Sequence, residues 1–194
     1  MAIARRLKPF GVKRLLYSGR TSKPQAAEVD GEFGKEMGSG RGGVADWPAY
    51  EVDFTAEPRS SAASPASLDR LVSESDFVVV SCSLTPETQG LCDKALFSKM
   101  KKTAVFVNTS RGAVVNQEDL HEALSSGRIA AAGLDVTTPE PLPTDHPLLK
   151  LKNCVILPHI GSATYSTRGI MAELCANNLL AGLTGSAMPS ELAL

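Results

Sequence analysis

The stretch of sequence that decides the fold is Cys154-Val-Ile-Leu-Pro-His-Ile-Gly-Ser162. Its first four residues are apolar and include β-branched side chains, which predicts a short strand buried on both faces of a sheet. Pro158 lacks a backbone donor and disfavours helix before it, so the strand is expected to end at Leu157. His159 then follows the carboxyl end of a strand, where open α/β sheets place their ligands.

Two other apolar runs end in charged residues. One is Val105-Phe-Val-Asn-Thr-Ser-Arg111-Gly112, and the other is Ala130-Ala-Ala-Gly-Leu-Asp-Val136, followed by Pro139-Glu140-Pro141. If the three strands are parallel, their carboxyl ends bring Arg111, Glu140 and His159 to one edge of the sheet. This set of side chains is the candidate catalytic site.

The remaining pattern alternates strands with helices, which predicts an α/β fold with a doubly wound parallel sheet of the Rossmann type. Further strands are expected at 12–17, 76–82 and 103–109. Ser67, Asp93 and Asn116 are predicted to cap short helices. A helix is also expected at 1–10, and a final one at about 164–183 has an apolar stripe made by Ile170, Met171, Leu174, Leu179 and Leu183.

Composition limits the classes of function. The chain has 194 residues, 43% of them apolar, and a net charge of −1. Such a balance gives no general attraction to nucleic acid or to anionic membranes, so neither is a predicted partner. The four cysteines lack metal-ligand spacing, so we predict no metal site and reduced thiols in a cytoplasmic protein.

Charge is concentrated near the amino terminus, where the first 27 residues carry seven basic side chains and no acidic one. Residues 1–17 therefore resemble an organelle targeting segment. The alternative is a folded helix and strand. We favour the folded interpretation, because residues 12–17 have the composition of a strand.

A segment rich in glycine, proline, serine and alanine spans about residues 34–66 and predicts a flexible insert. Within it, Gly38-Ser-Gly-Arg-Gly-Gly43 matches the letters of a Gly-x-Gly-x-x-Gly turn. That motif requires a buried strand before it and a helix after it. The sequence has neither, so we reject it as a phosphate site.

The predicted second strand of a dinucleotide fold is followed by Arg20-Thr-Ser-Lys23, without the acid that binds the ribose hydroxyl of NAD. Basic residues at this place accommodate the 2′-phosphate of NADP. The alternative is a solvated basic turn.

The three charged side chains suit reduction of a 2-keto acid by a nicotinamide. An imidazole beside a carboxylate holds its proton to higher pH and can act as a general acid on a carbonyl oxygen. A guanidinium can bind the substrate carboxylate through two hydrogen bonds. Each residue also has a structural alternative. Arg111 could be a solvated loop residue, Glu140 an exposed turn residue, and His159 a cap of the following helix.

Three ordered motifs resemble the D-isomer-specific 2-hydroxyacid dehydrogenase family, most closely its members that reduce glyoxylate and hydroxypyruvate. The motifs are Thr109-Ser-Arg-Gly112, Gly133-Leu-Asp-Val136 with Pro139–Pro143, and Leu157-Pro-His-Ile-Gly-Ser162. The similarity covers residues 1 to about 33 and 67 to 194. It implies an oxidoreductase that uses NADPH, with NADH as the alternative, on a small 2-keto or 2-hydroxy acid. It also implies a homodimer.

The resemblance also implies roles for individual residues. Arg111 would bind and polarise the substrate, Glu140 would partner the imidazole, and His159 would donate the proton. Cofactor contacts are implied at Arg20, Thr21, Ser22, Lys23, Ser83, Thr109, Asp135 and Gly161. Substrate contacts are implied at Arg111, Asp135, His159, Ile160, Gly161 and Ser162.

The sequence also departs from the family pattern, since it has no counterpart of the first strand, its glycine turn or the amino-terminal substrate lobe. It resembles a truncated dehydrogenase, with an incomplete dinucleotide-binding domain at 1–163 and a helix and tail at 164–194 that would pack on the absent lobe. We expect unpaired strand edges and an exposed apolar stripe. We therefore expect the chain alone to have weak or no reductase activity. The alternative function is an inactive form that associates with full-length subunits.

Overall fold

A computed structural model describes residues 14–18, 48–52 and 68–191. The chain divides into two compact units, one ending at Pro158 and the other beginning at His159. The predicted helix at 1–10, the basic loop at 20–23, the glycine-rich turn at 38–43 and the predicted cap Ser67 lie outside the described residues. So do residues 1–13 of the targeting segment, whereas its last four residues belong to the strand Arg14–Ser18. None of the described helices is long and apolar enough to cross a membrane.

The first unit contains a parallel sheet, and the predicted α/β fold class is confirmed. Six strands pair in the order in which they occur along the chain. They are β1 (Arg14–Ser18), β2 (Pro48–Val52), β3 (Phe77–Val80), β4 (Val105–Asn108), β5 (Ala131–Leu134) and β6 (Cys154–Ile156). Because the strands are parallel, the carboxyl ends of β4, β5 and β6 lie along one edge.

In the described part of the chain, three helices accompany the sheet: α1 (Leu68–Glu74), α2 (Lys94–Lys99) and α3 (Gln117–Ser125). Two predicted caps are confirmed. The Asp93 carboxylate accepts from the Leu96 N–H, and the Asn116 side chain accepts from the Glu118 and Asp119 N–H groups. Short 3-10 helices lie at Gly112–Val114 and Pro147–Lys150.

The core of this unit lies between the sheet and the helices. Phe106 on β4 and Phe97 on α2 are both buried, and their rings meet edge to face with centroids 5.2 Å apart. Leu120 and Leu124 of α3 and Leu71 of α1 belong to the same buried cluster. The apolar sides of these helices therefore face the core.

The prediction of a flexible insert at about 34–66 is wrong for five of its residues, Pro48–Val52, which form β2. This strand pairs with β1 on one side and β3 on the other. The expected gap between those strands is therefore absent. Tyr and Val favour strands. Neighbouring strands on both sides bind the backbone N–H and C=O groups of this segment, and the local composition cannot reveal those partners.

The prediction that the last strand is buried on both faces is also wrong. Val155, in the middle of β6, is 63% exposed. The reason is its position, because β6 lies at the end of the described sheet and pairs only with β5. Apolar composition predicted the strand correctly, but it could not distinguish an edge strand from a central strand of the sheet.

The second unit is built around α4 (Tyr165–Thr184), close to the predicted bounds. The Thr164 hydroxyl caps its start by accepting from the Thr167 N–H, and Gly185 ends it with a left-handed backbone. No residue of α4 is buried, so the predicted apolar stripe is exposed. After the helix, the Asn178 side chain makes two hydrogen bonds with the backbone of Ser190, of 2.8 and 2.9 Å.

The buried aromatic pair yields a test of the core. Phe106 is 0% exposed and Phe77, on the neighbouring strand, is 49% exposed. We expect Phe106→Ala to lower the free energy of unfolding by about 3–5 kcal/mol, through lost burial and a residual cavity. Phe77→Ala should cost less than about 1 kcal/mol. Urea denaturation followed by circular dichroism measures both, and equal losses would contradict this account of the core.

The cysteines yield a second test. Burial raises the pKa of the Cys154 thiol to about 11 and also raises the pKa of Cys92. Cys82 is buried as well, whereas Cys175 is exposed on α4. Since the thiolate is the reactive form, Ellman's reagent at about pH 8 should modify Cys175 first and rapidly. Cys175→Ser should remove the rapid phase, and a rapid phase that survives this substitution would contradict the described burial.

Candidate active site

The candidate site lies at the carboxyl edge of the sheet in the first unit, where loops follow β3, β4 and β5. The first two loops are joined by backbone bonds: Gly90 N–H donates to the Ala113 carbonyl over 2.9 Å, and Cys92 N–H donates to that of Val114 over 3.0 Å. These bonds hold together two of the segments that open α/β sheets use to bind ligands.

The loop that carries Arg111 is organised by Asn108, the last residue of β4, which is buried. Its Oδ1 accepts from both the N–H and the hydroxyl of Ser110, each at 3.0 Å, and its Nδ2 donates to the Arg111 carbonyl over 3.0 Å. A buried amide that makes three such bonds holds the turn in one conformation. Arg111 is an exposed residue, and its guanidinium donates through Nη1 to the Ser110 carbonyl over 2.6 Å.

The loop that carries Glu140 follows β5. The Thr137 N–H donates to Glu140 Oε1 over 2.9 Å, and the Thr137 hydroxyl donates to the Pro139 carbonyl over 3.0 Å. The peptide bonds that precede Pro139 and Pro141 are both cis. Glu140 is exposed, but its carboxylate is bound to the backbone of its own loop.

Gly112 sets the distance between these two loops. A Cβ atom at this position would overlap the carbonyl group of Thr137 and the Thr138 hydroxyl. Only glycine allows so close an approach of two backbones. Gly112 directly follows Arg111, and Thr137 is the residue that binds the Glu140 carboxylate, so this contact brings the two charged residues into neighbouring loops.

Gln117, the first residue of α3, also contacts the Glu140 loop. Its Oε1 accepts from the Thr138 N–H over 2.8 Å, and its Nε2 donates to the Thr138 carbonyl over 2.5 Å. The side-chain amide thus pairs with both polar groups of one residue.

Other predicted cofactor residues lie at the same edge. Ser83 and Thr109 are exposed after β3 and β4, and Asp135 follows β5, where its N–H donates to the Asn108 carbonyl over 2.9 Å. Arg20, Thr21, Ser22 and Lys23 lie outside the described residues.

His159 opens the second unit and has a left-handed backbone with φ of 54°. A residue other than glycine adopts this conformation uncommonly, although histidine does so more often than most. The alternative that His159 caps the following helix is wrong, because Thr164 is the cap of α4. Ile160, Gly161 and Ser162 follow it and are exposed.

The comparisons with known proteins agree with the motifs. Residues 47–161 match the family model of the D-isomer specific 2-hydroxyacid dehydrogenase, NAD binding domain. This range includes more than half of the chain.

The chain belongs to this dehydrogenase family.

Two curated relatives of this dehydrogenase chain are glyoxylate reductase/hydroxypyruvate reductases. The Mus musculus protein is 60% identical over 194 residues, which cover 100% of this chain and 49% of that protein. The Homo sapiens protein is 58% identical over 193 residues, again covering 49% of the relative. The chain therefore spans about half the length of these relatives.

Solved structures agree on the fold. The TT0316 protein from Thermus thermophilus is 39% identical, with a TM-score of 0.69 over 94% of this chain and 54% of that one. D-lactate dehydrogenase from Lactobacillus jensenii, solved with NAD+, has a TM-score of 0.67 at 21% identity over 93% of this chain and 56% of that one. The second likeness concerns the fold alone.

Sequence reasoning missed two residues that organise the site of this dehydrogenase chain, Asn108 and Gln117. Asn108 had a visible signal, since a polar amide that ends an apolar strand needs buried partners. Gln117 had none, because its partner Thr138 lies 21 residues away along the chain. The residue type of Gly112 was part of the motif, but its close contact became visible only in the structure.

The contact of Gly112 with Thr137 yields a test. Gly112→Ala should force the two loops apart and lower the free energy of unfolding by about 1–3 kcal/mol. Gly133→Ala is the matched control, because a Cβ there meets nothing within 4 Å. Urea denaturation compares the two variants. A Gly112→Ala protein as stable as the control would show that the loops do not need this close approach.

Proposed function

We propose that this chain carries the proton-transfer and cofactor-binding half of an NADPH-dependent reductase of glyoxylate, hydroxypyruvate and related 2-keto acids. The observation that carries the proposal is the joining of the Arg111 and Glu140 loops at the contact of Gly112 with Thr137. Family membership and the two curated relatives support the same chemistry.

In this proposal, His159 is the proton donor. Reduction of a 2-keto acid adds a hydride to the carbonyl carbon and a proton to the carbonyl oxygen. An imidazolium would supply that proton, with Glu140 as the carboxylate that the family resemblance implies as its partner. Its chain position supports the role, because His159 follows β6, the strand next to β5.

Arg111 is the proposed substrate-binding residue. Its guanidinium would hold the carboxylate of the 2-keto acid through two parallel hydrogen bonds and polarise the adjacent carbonyl. Asn108 supports this role, because it fixes the backbone on both sides of the turn from which the guanidinium extends. Ile160, Gly161 and Ser162 are the proposed borders of the substrate site.

The described residues fit part of a nicotinamide dinucleotide. The exposed residues Ser83 and Thr109 and the buried Asp135 follow strands at the edge where such a group binds, and we propose them with Gly161 as cofactor contacts. The bound cofactor supplies the hydride. No Gly-x-Gly-x-x-Gly sequence directly follows any of the strands β1 to β6, and such a turn is what cradles the pyrophosphate, so the fit is incomplete. Arg20, Thr21, Ser22 and Lys23 are the proposed contacts of a 2′-phosphate.

The second candidate function is an inactive form that only associates with full-length subunits. The exposed apolar residues of α4 favour it, since such a stripe needs a partner. In this proposal, α4 and the tail pack on the substrate lobe of the full-length subunit.

A chimera tests the proposed residues. The part of the mouse relative that this chain does not match is fused to this chain, and oxidation of NADPH and NADH is followed with hydroxypyruvate. We expect the chain alone to show weak or no turnover and the chimera to reduce hydroxypyruvate, preferring NADPH. Since general acid catalysis contributes about 10²–10⁴-fold, His159→Gln should lower kcat by that amount.

The controls separate the two candidate functions. His121→Gln, on the partly exposed side of α3, should leave the rate unchanged. A folded but inactive chimera, or an active His159→Gln chimera, would contradict the proposed chemistry. If the chimera is inactive and the intact chain co-elutes with the full-length mouse relative, the second candidate function replaces the first.

A further inference from the structure

The side-chain amide of Gln117 is the feature that the proposed chemistry leaves unexplained. It makes two hydrogen bonds, and both go to the backbone of Thr138. The two bonds cannot form unless the amide plane and the peptide groups around Thr138 are correctly oriented, since one group donates and the other accepts. Gln117 therefore fixes the orientation of this residue as well as its position.

The fixed residue lies next to the group that holds Glu140. Thr138 is preceded by Thr137, whose N–H donates to Glu140 Oε1, and followed by Pro139, whose carbonyl accepts from the Thr137 hydroxyl. The bonds therefore form a connected series from α3 to the carboxylate. Rotation of the Thr138 backbone would move the Thr137 N–H away from the oxygen that it binds.

The start of α3 does not depend on Gln117. Asn116 caps the helix, and Asp119 is bound by the backbone N–H of Lys94 over 2.9 Å. Gln117 is half-buried, and its side chain adds nothing to these contacts. Removal of its amide should therefore change the Glu140 loop and leave the helix intact.

We propose that Gln117 is a positioning residue, which orients the Glu140 carboxylate through the backbone of Thr138 and Thr137. Its catalytic meaning rests on the proposed function, in which that carboxylate partners the imidazole of His159. Its structural effect does not, because each bond of the series lies within the first unit.

The test uses nuclear magnetic resonance of the intact chain. An amide proton bound to a carboxylate changes its chemical shift as that carboxylate ionises, so the Thr137 amide reports on Glu140. We expect its pH-dependent shift to vanish in Glu140→Gln, which establishes the assignment. In Gln117→Ala, the amplitude should fall several-fold, and the Thr137 and Thr138 amides should both exchange about fivefold faster or more.

Gln89→Ala is the matched control. Gln89 is exposed in the loop that follows β3, and its side chain makes no hydrogen bond in the described part of the chain. It should leave both amides unchanged. A purely local role for Gln117 would speed exchange at Thr138 alone and leave the Thr137 shift at full amplitude, which would overturn the proposal. If Gln117→Ala does not fold, Gln117→Met, which keeps the volume and loses both bonds, takes its place.

Kinetics of the chimera separate this proposal from the proposed function. In an active chimera, Gln117→Ala should lower kcat with little change in KM. It should also move the alkaline limb of the pH profile to lower pH, because a general acid must stay protonated and the carboxylate that would stabilise its charge is displaced. A chimera without activity would remove the proposed reductase function and leave the amide result standing. If Gln117→Ala leaves the kcat and the pH profile of an active chimera unchanged, the positioning role is overturned.

Discussion

The approach of two backbones at Gly112 is the constraint on which the candidate site depends. Strands β4 and β5 are neighbours, but their pairing positions only the strands and not the loops beyond them. The missing side chain of Gly112 lets the loop after β4 lie directly on the Thr137 peptide. A guanidinium and a carboxylate are placed in neighbouring loops as a result, and no contact between the two charged groups themselves is needed to hold them there.

The backbone of these loops is then held by side-chain amides. Asn108 binds the turn before Arg111, and Gln117 binds the segment before Glu140. Amides suit this purpose because they donate and accept at once and carry no charge that would compete with the functional groups. The two charged side chains therefore remain exposed while the backbone that carries them is fixed.

Local signals were sufficient for much of this architecture. The caps at Asp93 and Asn116 and the apolar runs of β3 to β6 are properties of a few consecutive residues, and the structure has them where the sequence predicts them. That the loops of Arg111 and Glu140 lie at one edge was also predictable, since they follow neighbouring parallel strands.

Properties that depend on spatial neighbours could not be predicted in this way. Pro48–Val52 looks like part of a glycine- and proline-rich insert, and only the backbones of β1 and β3 make it a strand. The exposure of Val155 follows from the position of β6 at the end of the sheet. The partner of Gln117 is distant along the chain, and no local pattern indicates which backbone its amide will bind.

The sequential strand order has a consequence for how the first unit assembles. Each strand from β3 to β6 pairs with the one made just before it, so every pairing closes a comparatively short loop and the entropy lost at each step is small. During synthesis on a ribosome, the part of the sheet from β3 to β6 can therefore grow one strand at a time. The edge that carries the loops of Arg111 and Glu140 is completed only when β6 emerges.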